Sequence, residues 1–281
     1  NPMHKALTTV SFSIMFLLTS CSNRTTEKPN IIIIMADDIG FSDIGSYGGE
    51  VKTPNLDFLA DEGLRFQTFY NMAKCNPSRS SLLTGLYNGG DGAVHLAQLT
   101  KKAGYQNIMS GKEHFDAWVP EYCRAENVFD HSFTFWATTE YFQPPSGEFE
   151  RPFSLEGKEL TASEISFKES PMYKTDFITD YASDWLDEAF QKDDPFFLYL
   201  PYHAAHYPLQ ARPEDIAKYR GKYLEGWDKL REKRFDKSMG KGVLPSNAVL
   251  SPGEGSLNQL RGPLIPEYTD YYPWKGLSEA Q

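Results

Sequence analysis

Apolar and polar positions alternate along the chain in blocks that predict strands and helices in turn. Ile31 to Ala36 is an unbroken, β-branched apolar run, the pattern of a parallel strand buried on both faces, and it stops at Asp37-Asp38. Tyr105 to Ser110 predicts a second strand, followed by Gly111-Lys112-Glu113-His114. Pro195 to Tyr202 predicts a third, with Phe-Phe-Leu-Tyr-Leu in its middle, and delivers His203 and His206 just beyond its end. Between these runs the period changes. Thr53-Pro54 opens a helix that Gly63 closes, with Leu56, Leu59 and Ala60 as its apolar stripe. Ala93 to Ala103 predicts another, ended by Gly104, with Lys101 and Lys102 at its C-terminal end. From Phe177 to Lys192 the residues Phe177, Ile178, Tyr181, Ala182, Trp185, Ala189 and Phe190 share one helical face. Pro213 to Arg220 is a short helix, and Lys222 to Lys241 a charged surface helix with Trp227 and Leu230 inward. Phe115 to Thr175 has little periodicity and reads as loops and short strands.

Strands alternating with helices predict an α/β fold, a mostly parallel central sheet flanked by helices. In such a sheet the carboxyl ends of the strands lie along one edge, where ligand sites form. That edge would gather Asp37-Asp38, Lys112, His114 and His206.

One further stretch carries chemistry. Cys75-Asn76-Pro77-Ser78-Arg79 runs into Ser80-Ser81-Leu82-Leu83-Thr84-Gly85. Pro77 suits the first turn of a helix and Gly85 its left-handed end, which puts Cys75 just outside a helix N-terminus. Orphan N–H groups and the helix dipole attract anions there, and Arg79, one turn on, can reach back. The same residues also suit a small buried cysteine before an ordinary capped helix. An Asp pair at a strand end is equally open: it serves turn and capping chemistry, or a hard cation such as calcium.

Charge and the chain's start narrow the classes. Among 281 residues the net charge is −10, which argues against a nucleic-acid groove or an anionic membrane patch. Three cysteines are too few for a disulfide framework or a zinc site; Cys123 reads as a buried thiol. Met3-His4-Lys5, the apolar Val10 to Leu18 and Leu18-Thr19-Ser20-Cys21 read as a bacterial lipoprotein signal with Cys21 lipidated, or as a plain signal peptide. Either predicts export, to the periplasm or the outer membrane, and divides the chain into a leader and tether over 1–28 and a catalytic domain over 29–281.

The Cys75 stretch resembles the sulfatase signature, C-x-P-S-R with a Leu-Thr-Gly tail, of the alkaline phosphatase superfamily. Asp37-Asp38, Thr53-Pro54-Asn55-Leu56-Asp57, Gly111-Lys112-Glu113-His114 and His206 fall where that family carries its landmarks. The resemblance implies a sulfuric ester hydrolase acting on an aryl sulfate or a sulfated saccharide. It implies that Cys75 is oxidised to formylglycine by a maturation enzyme. It further implies that Asp37 and Asp38 hold calcium, which contacts the group made from Cys75. Arg79 and Lys112 would stabilise sulfuryl charge, His206 protonate the leaving alcohol and His114 act in the return step. The family's later Asp-Asn-Gly or Asp-His-Gly strand is not found between Leu209 and Gln281, so the expectation is a truncated N-terminal portion of the family fold. A phosphoester hydrolase of the same superfamily and an inactive, carbohydrate-binding remnant remain as rivals.

Overall fold

The computed structural model describes residues 28–87, 92–114, 124–135, 140–142, 153–160, 164, 172–192 and 194–251. The chain divides into units of Asn1–Ile31 and Ile32–Gln281. Cys21 and Cys123 lie outside the described residues, as do 252–281.

In chain order the elements are β1 (Ile31–Met35), α1 (Pro54–Glu62), α2 (Cys75–Thr84), α3 (Leu96–Lys102), β2 (Gln106–Lys112), α4 (Ala125–Val128), β3 (His131–Phe135), β4 (Phe153–Leu155), β5 (Lys158–Leu160), α5 (Lys174–Lys192), β6 (Phe196–Pro201), α6 (Pro213–Tyr219) and α7 (Trp227–Gly240). Two single 3-10 turns, Phe41–Asp43 and Gly45–Tyr47, follow β1. Six strands form one sheet in the order β1-β6-β2-β3-β4-β5. β2 runs parallel to β6 and to β3, while β4 and β5 add an antiparallel hairpin at one side. This is the mixed α/β, largely parallel sheet that the alternating pattern predicts.

Helix α5 covers one face of it. Its Phe177, Ile178, Ala182, Trp185 and Ala189 pack against Ile108, Phe133, Phe153 and Leu198 of the strands. Each such side chain contributes about 1.5–3 kcal/mol on burial, so this layer is the principal store of folding energy among the described residues. Phe133 stacks on Tyr181 at 4.7 Å between ring centroids and meets Phe177 edge-on at 5.2 Å. Phe190, expected on the same face, is instead 64% exposed. It lies in the last turn of α5, where the Phe196 ring meets it edge-on at 5.4 Å.

Three other expectations are corrected. Among the described residues β1 is an edge strand, not one buried on both faces: its burial alternates, and Ile32 and Ile34 stay exposed on a face that no described element covers. In α1 no residue is buried, so Leu56 and Leu59 form a stripe without a packing surface among the described residues. The helix expected from Ala93 starts only at Leu96. His95 caps it, accepting the Ala97 N–H at Nδ1 (3.0 Å), while Gln98 Oε1 accepts the His95 N–H (2.9 Å). β3 lies in the stretch without clear periodicity, because Ser132 to Phe135 are all buried and so leave no alternation to read.

Candidate active site

The three strand ends do converge. Asp37 follows β1, Lys112 ends β2, and His203 to His206 follow β6. Tyr202 N donates to Met35 O (2.8 Å), Asp37 N to Ala204 O (2.9 Å) and Ala205 N to Asp37 O (2.8 Å), so the end of β1 and the histidine loop are bonded residue by residue. On the other side β2 closes tightly on β6. Gly111 has φ +139°, and a Cβ there would lie 2.1 Å from the Pro201 carbonyl oxygen, so glycine alone fits before Lys112.

Helix α2 brings Cys75 to this edge. Its cap is Lys74 and Cys75 is its first helical residue, one position further in than the sequence suggests; Gly85 ends it at φ +70°. Ser78 Oγ accepts the Met72 N–H at 3.0 Å and steadies the approach to the helix. Asn76 and Arg79 dock the first turn on β2: Asn76 Nδ2 donates to His114 O (2.9 Å) and Arg79 NH1 to Lys112 O (2.9 Å). The Cys75 thiol is free and half-buried.

At the centre is a buried charge cluster. Lys112 Nζ donates to Asp37 Oδ2 at 2.6 Å, and Arg79 NH2 stands 3.4 Å from the same oxygen. Both cations are fully buried and Asp37 is 4% exposed. Two cations thus face the one Asp37 carboxylate, and the Glu113 carboxylate is buried near the Tyr199 hydroxyl. Arg79 Nε and NH2 make no hydrogen bond among the described residues, although both are buried. Beneath them the Tyr199 hydroxyl is held above its ordinary pKa by burial, opposed by Arg79.

The remaining candidates sit around this cluster. Asp38 takes a left-handed backbone (φ +57°) and turns outward, its side chain 59% exposed, with Oδ2 3.6 Å from His206 Nε2. His206 Nδ1 lies 2.6 Å from Tyr207 O, which requires the proton on Nδ1 and leaves Nε2 directed at the Asp38 carboxylate. His114 is also left-handed (φ +45°) and half-buried, with Nδ1 turned inside. Glu113, between Lys112 and His114, accepts the Ala125 N–H at 2.8 Å and anchors α4. His203 is 1% exposed. Burial, aided by Lys174, Lys112, His206 and Arg79, pushes its pKa down to about 2.

The family model for the sulfatases matches residues 29–272. The chain belongs to the sulfatase family. It is 30% identical over 274 residues to the arylsulfatase of Klebsiella aerogenes, covering 87% of this chain and 57% of that protein. Two solved structures are similar. One is Ps i-CgsB in complex with k-i-k-neocarrahexaose, with a TM-score of 0.60 and 29% identity over 77% of this chain and 53% of that one. The other is a protein in complex with its substrate D-glucosamine-2-N,6-O-disulfate, with a TM-score of 0.54 and 28% identity over 70% and 38%. This sulfatase chain spans about half the length of the curated relatives it matches, 47% and 57% for two of them.

For calcium, the donors present are right in kind and incomplete in number. The ion takes six to eight oxygen ligands, and no group of three His, Cys, Asp or Glu is gathered for a metal among the described residues. Asp37 and Asp38 would hold it from the β1 side, with one Asp37 oxygen already shared by Lys112 and Arg79. Asn76, Tyr199 and Gly111 escape a sequence reading because each acts on a residue distant in the chain: Asn76 on the His114 carbonyl, the Tyr199 hydroxyl on the Arg79 guanidinium and Gly111 on the Pro201 carbonyl. Only Gly111 leaves a trace, as the glycine before Lys112.

Proposed function

We propose that this sulfatase chain carries the nucleophile-bearing part of a sulfate ester hydrolase. The observation that carries the reading is the docking of the Cys75 helix, through Asn76 and Arg79, on a sheet edge where two buried cations, Lys112 and Arg79, share one carboxylate. Such a pocket suits a sulfuryl group, whose charge rises on the equatorial oxygens as the ester bond breaks.

Cys75, were it oxidised to formylglycine by a maturation enzyme and hydrated, would supply a hydroxyl as the nucleophile toward sulfur. Calcium, held in part by Asp37 and Asp38, supplies Lewis-acid polarisation when bound. The chain's own residues do the rest. Arg79 and Lys112 set fixed positive charge where the sulfuryl oxygens lie, in a site that excludes water. His206 gives a proton from Nε2 to the departing alcohol, with Tyr207 O holding Nδ1. His114, at the end of β2, serves as base in the return step. An aryl sulfate or a sulfated saccharide is the substrate class; the name of the Klebsiella relative and the disulfated glucosamine bound by the solved neighbour support it.

The test compares turnover of 4-nitrophenyl sulfate and 4-nitrophenyl phosphate by chain co-produced with a maturation enzyme, in calcium. Mass spectrometry of the Cys75 peptide reports the thiol-to-aldehyde conversion independently. Sulfate turnover that vanishes in Cys75→Ala supports the reading. Fully converted Cys75 with no sulfate turnover, or with phosphate preferred, overturns it.

A further inference from the structure

We infer that Tyr141 and His203 are positioning residues for His206, which they hold as the end ring of an aromatic pile. The inference rests on the role of His206 proposed above and adds two residues to that site.

The pile is continuous. Tyr173 and Tyr141 stack at 5.9 Å with 27° between planes, Tyr141 and His203 at 4.9 Å and 23°, His203 and His206 at 5.4 Å and 25°. Burial falls off along it: Tyr141 is 2% and His203 1% exposed, while the His206 side chain is 20% exposed. The inner rings are locked in the core, and the outermost face is offered to the site.

Tyr141 also grips the loop from below. Its hydroxyl reaches His203 O at 3.2 Å and His206 O at 2.9 Å, one proton shared between two carbonyls more than sixty residues away in sequence. His206 N in turn donates to His203 O at 2.9 Å. Ring and backbone of the loop are thus fixed by the same tyrosine. Burial and nearby negative charge push the Tyr141 hydroxyl pKa up, so it stays a donor.

His203 is an odd choice for mere filling. Both its ring nitrogens are buried and make no hydrogen bond among the described residues. An unpartnered buried polar group carries a penalty that phenylalanine would avoid. What imidazole brings is a flat ring of the same size as His206, set between Tyr141 and His206 with Phe135 against its edge at 6.0 Å. Lys174 Nζ, 5.0 Å from the Phe135 ring and 5.9 Å from that of Tyr141, together with Lys112 and Arg79, faces this region with positive charge. Positive charge on the His203 ring is therefore disfavoured, and that ring stays neutral.

The experiment reads the His206 ring directly, whether or not the chain turns over substrate. Ring proton and nitrogen shifts of His206 are recorded in the full chain and in His203→Phe, His203→Ala and Tyr141→Phe. A stacked His206 ring shows upfield ring protons; these should persist in His203→Phe, vanish in His203→Ala and move in Tyr141→Phe, which loses one hydroxyl and keeps the ring. Unchanged His206 shifts in both His203→Ala and Tyr141→Phe overturn the inference. If His203→Ala fails to fold, His203→Phe and Tyr141→Phe still decide, since the first should retain and the second disturb the pattern. With active protein, Tyr141→Phe should slow kcat for an alkyl sulfate at least about ten-fold more than for 4-nitrophenyl sulfate, whose leaving group needs little protonation. Equal loss on both substrates marks a merely structural role and also overturns it. Absent turnover in the unaltered chain counts against the hydrolase reading, and the ring shifts then decide the positioning by themselves.

Discussion

Consider Asp37→Asn. The side chain keeps its shape, and what disappears is the one negative charge facing Lys112 and Arg79. At separations of 2.6 Å and 3.4 Å the two attractions come to about 6 and about 5 kcal/mol at an effective dielectric of about 20. Repulsion between the two cations, and the several kcal/mol that each ion loses on leaving water, cancel much of this. Removing one partner is costly all the same, because both cations remain buried without it. The expected loss is about 3–5 kcal/mol. Urea unfolding followed by tryptophan fluorescence reads it: with a slope of about 2–3 kcal/mol per molar, the midpoint should fall by about 1–2 M. Salt should change the difference little, since buried charges are poorly screened. Adding Lys112→Met to Asp37→Asn should return part of the loss, because one stranded cation is gone; a coupling of about 0.5–3 kcal/mol is expected between touching residues. A midpoint shift below about 0.3 M, or strict additivity of the two substitutions, would refute the idea that Asp37 is the counter-ion of this cluster.

Four further outcomes follow from the same geometry. Asp38→Asn, at a side chain 59% exposed, should leave the urea midpoint within about 0.5 kcal/mol, in contrast to its neighbour. Asn76→Ala deletes the bond to His114 O and should cost about 1–3 kcal/mol, while chemical-shift changes at His114 report the loosened docking of α2. His95 is buried and its pKa is pushed down to about 4 by that burial. The unfolded chain therefore takes up a proton near its ordinary 6.5 while the native state does not, so stability is full above that value and falls as pH drops toward 4. At pH 5 the loss from His95 is about 2 kcal/mol, read as a fall in urea midpoint; His95→Asn, which can still cap α3, should remove that share of the acid sensitivity. Ile34→Thr, at an exposed position of the edge strand, should change stability by no more than about 0.5 kcal/mol, again by urea midpoint.

Much of the architecture could be read from the chain because its strands end where chemistry begins. Asp37, Lys112 and His206 each follow an apolar run, and a parallel sheet brings such ends together whatever the loops do. Cys75 and Arg79 were legible for another reason: Pro77 and Gly85 bracket a helix that holds Arg79 and has Cys75 at its start. The tyrosine under the histidine loop left no such mark. Tyr141 acts on His203 and His206 across more than sixty residues, in a stretch without periodicity, and packing of that range has no local pattern. Nor does a β-branched run disclose whether both of its faces will be covered, which is why β1 reads as buried on both and keeps one exposed. His95 looked like part of a helix, when its side chain is what starts that helix.

The bonding of Asp37 to both Ala204 and Ala205 has a mechanical meaning. Asp37 is clasped on its N–H and on its C=O by the single Ala204–Ala205 peptide unit of the facing loop, so neither segment can slide without breaking both bonds at once. Relative movement of the two segments is thereby confined to residues beyond this clasp, toward Asp38 on one side or Tyr207 on the other. The amides of Asp37 and Ala205 should accordingly lose their protection against hydrogen exchange together, as a single latch that opens only with the sheet edge itself.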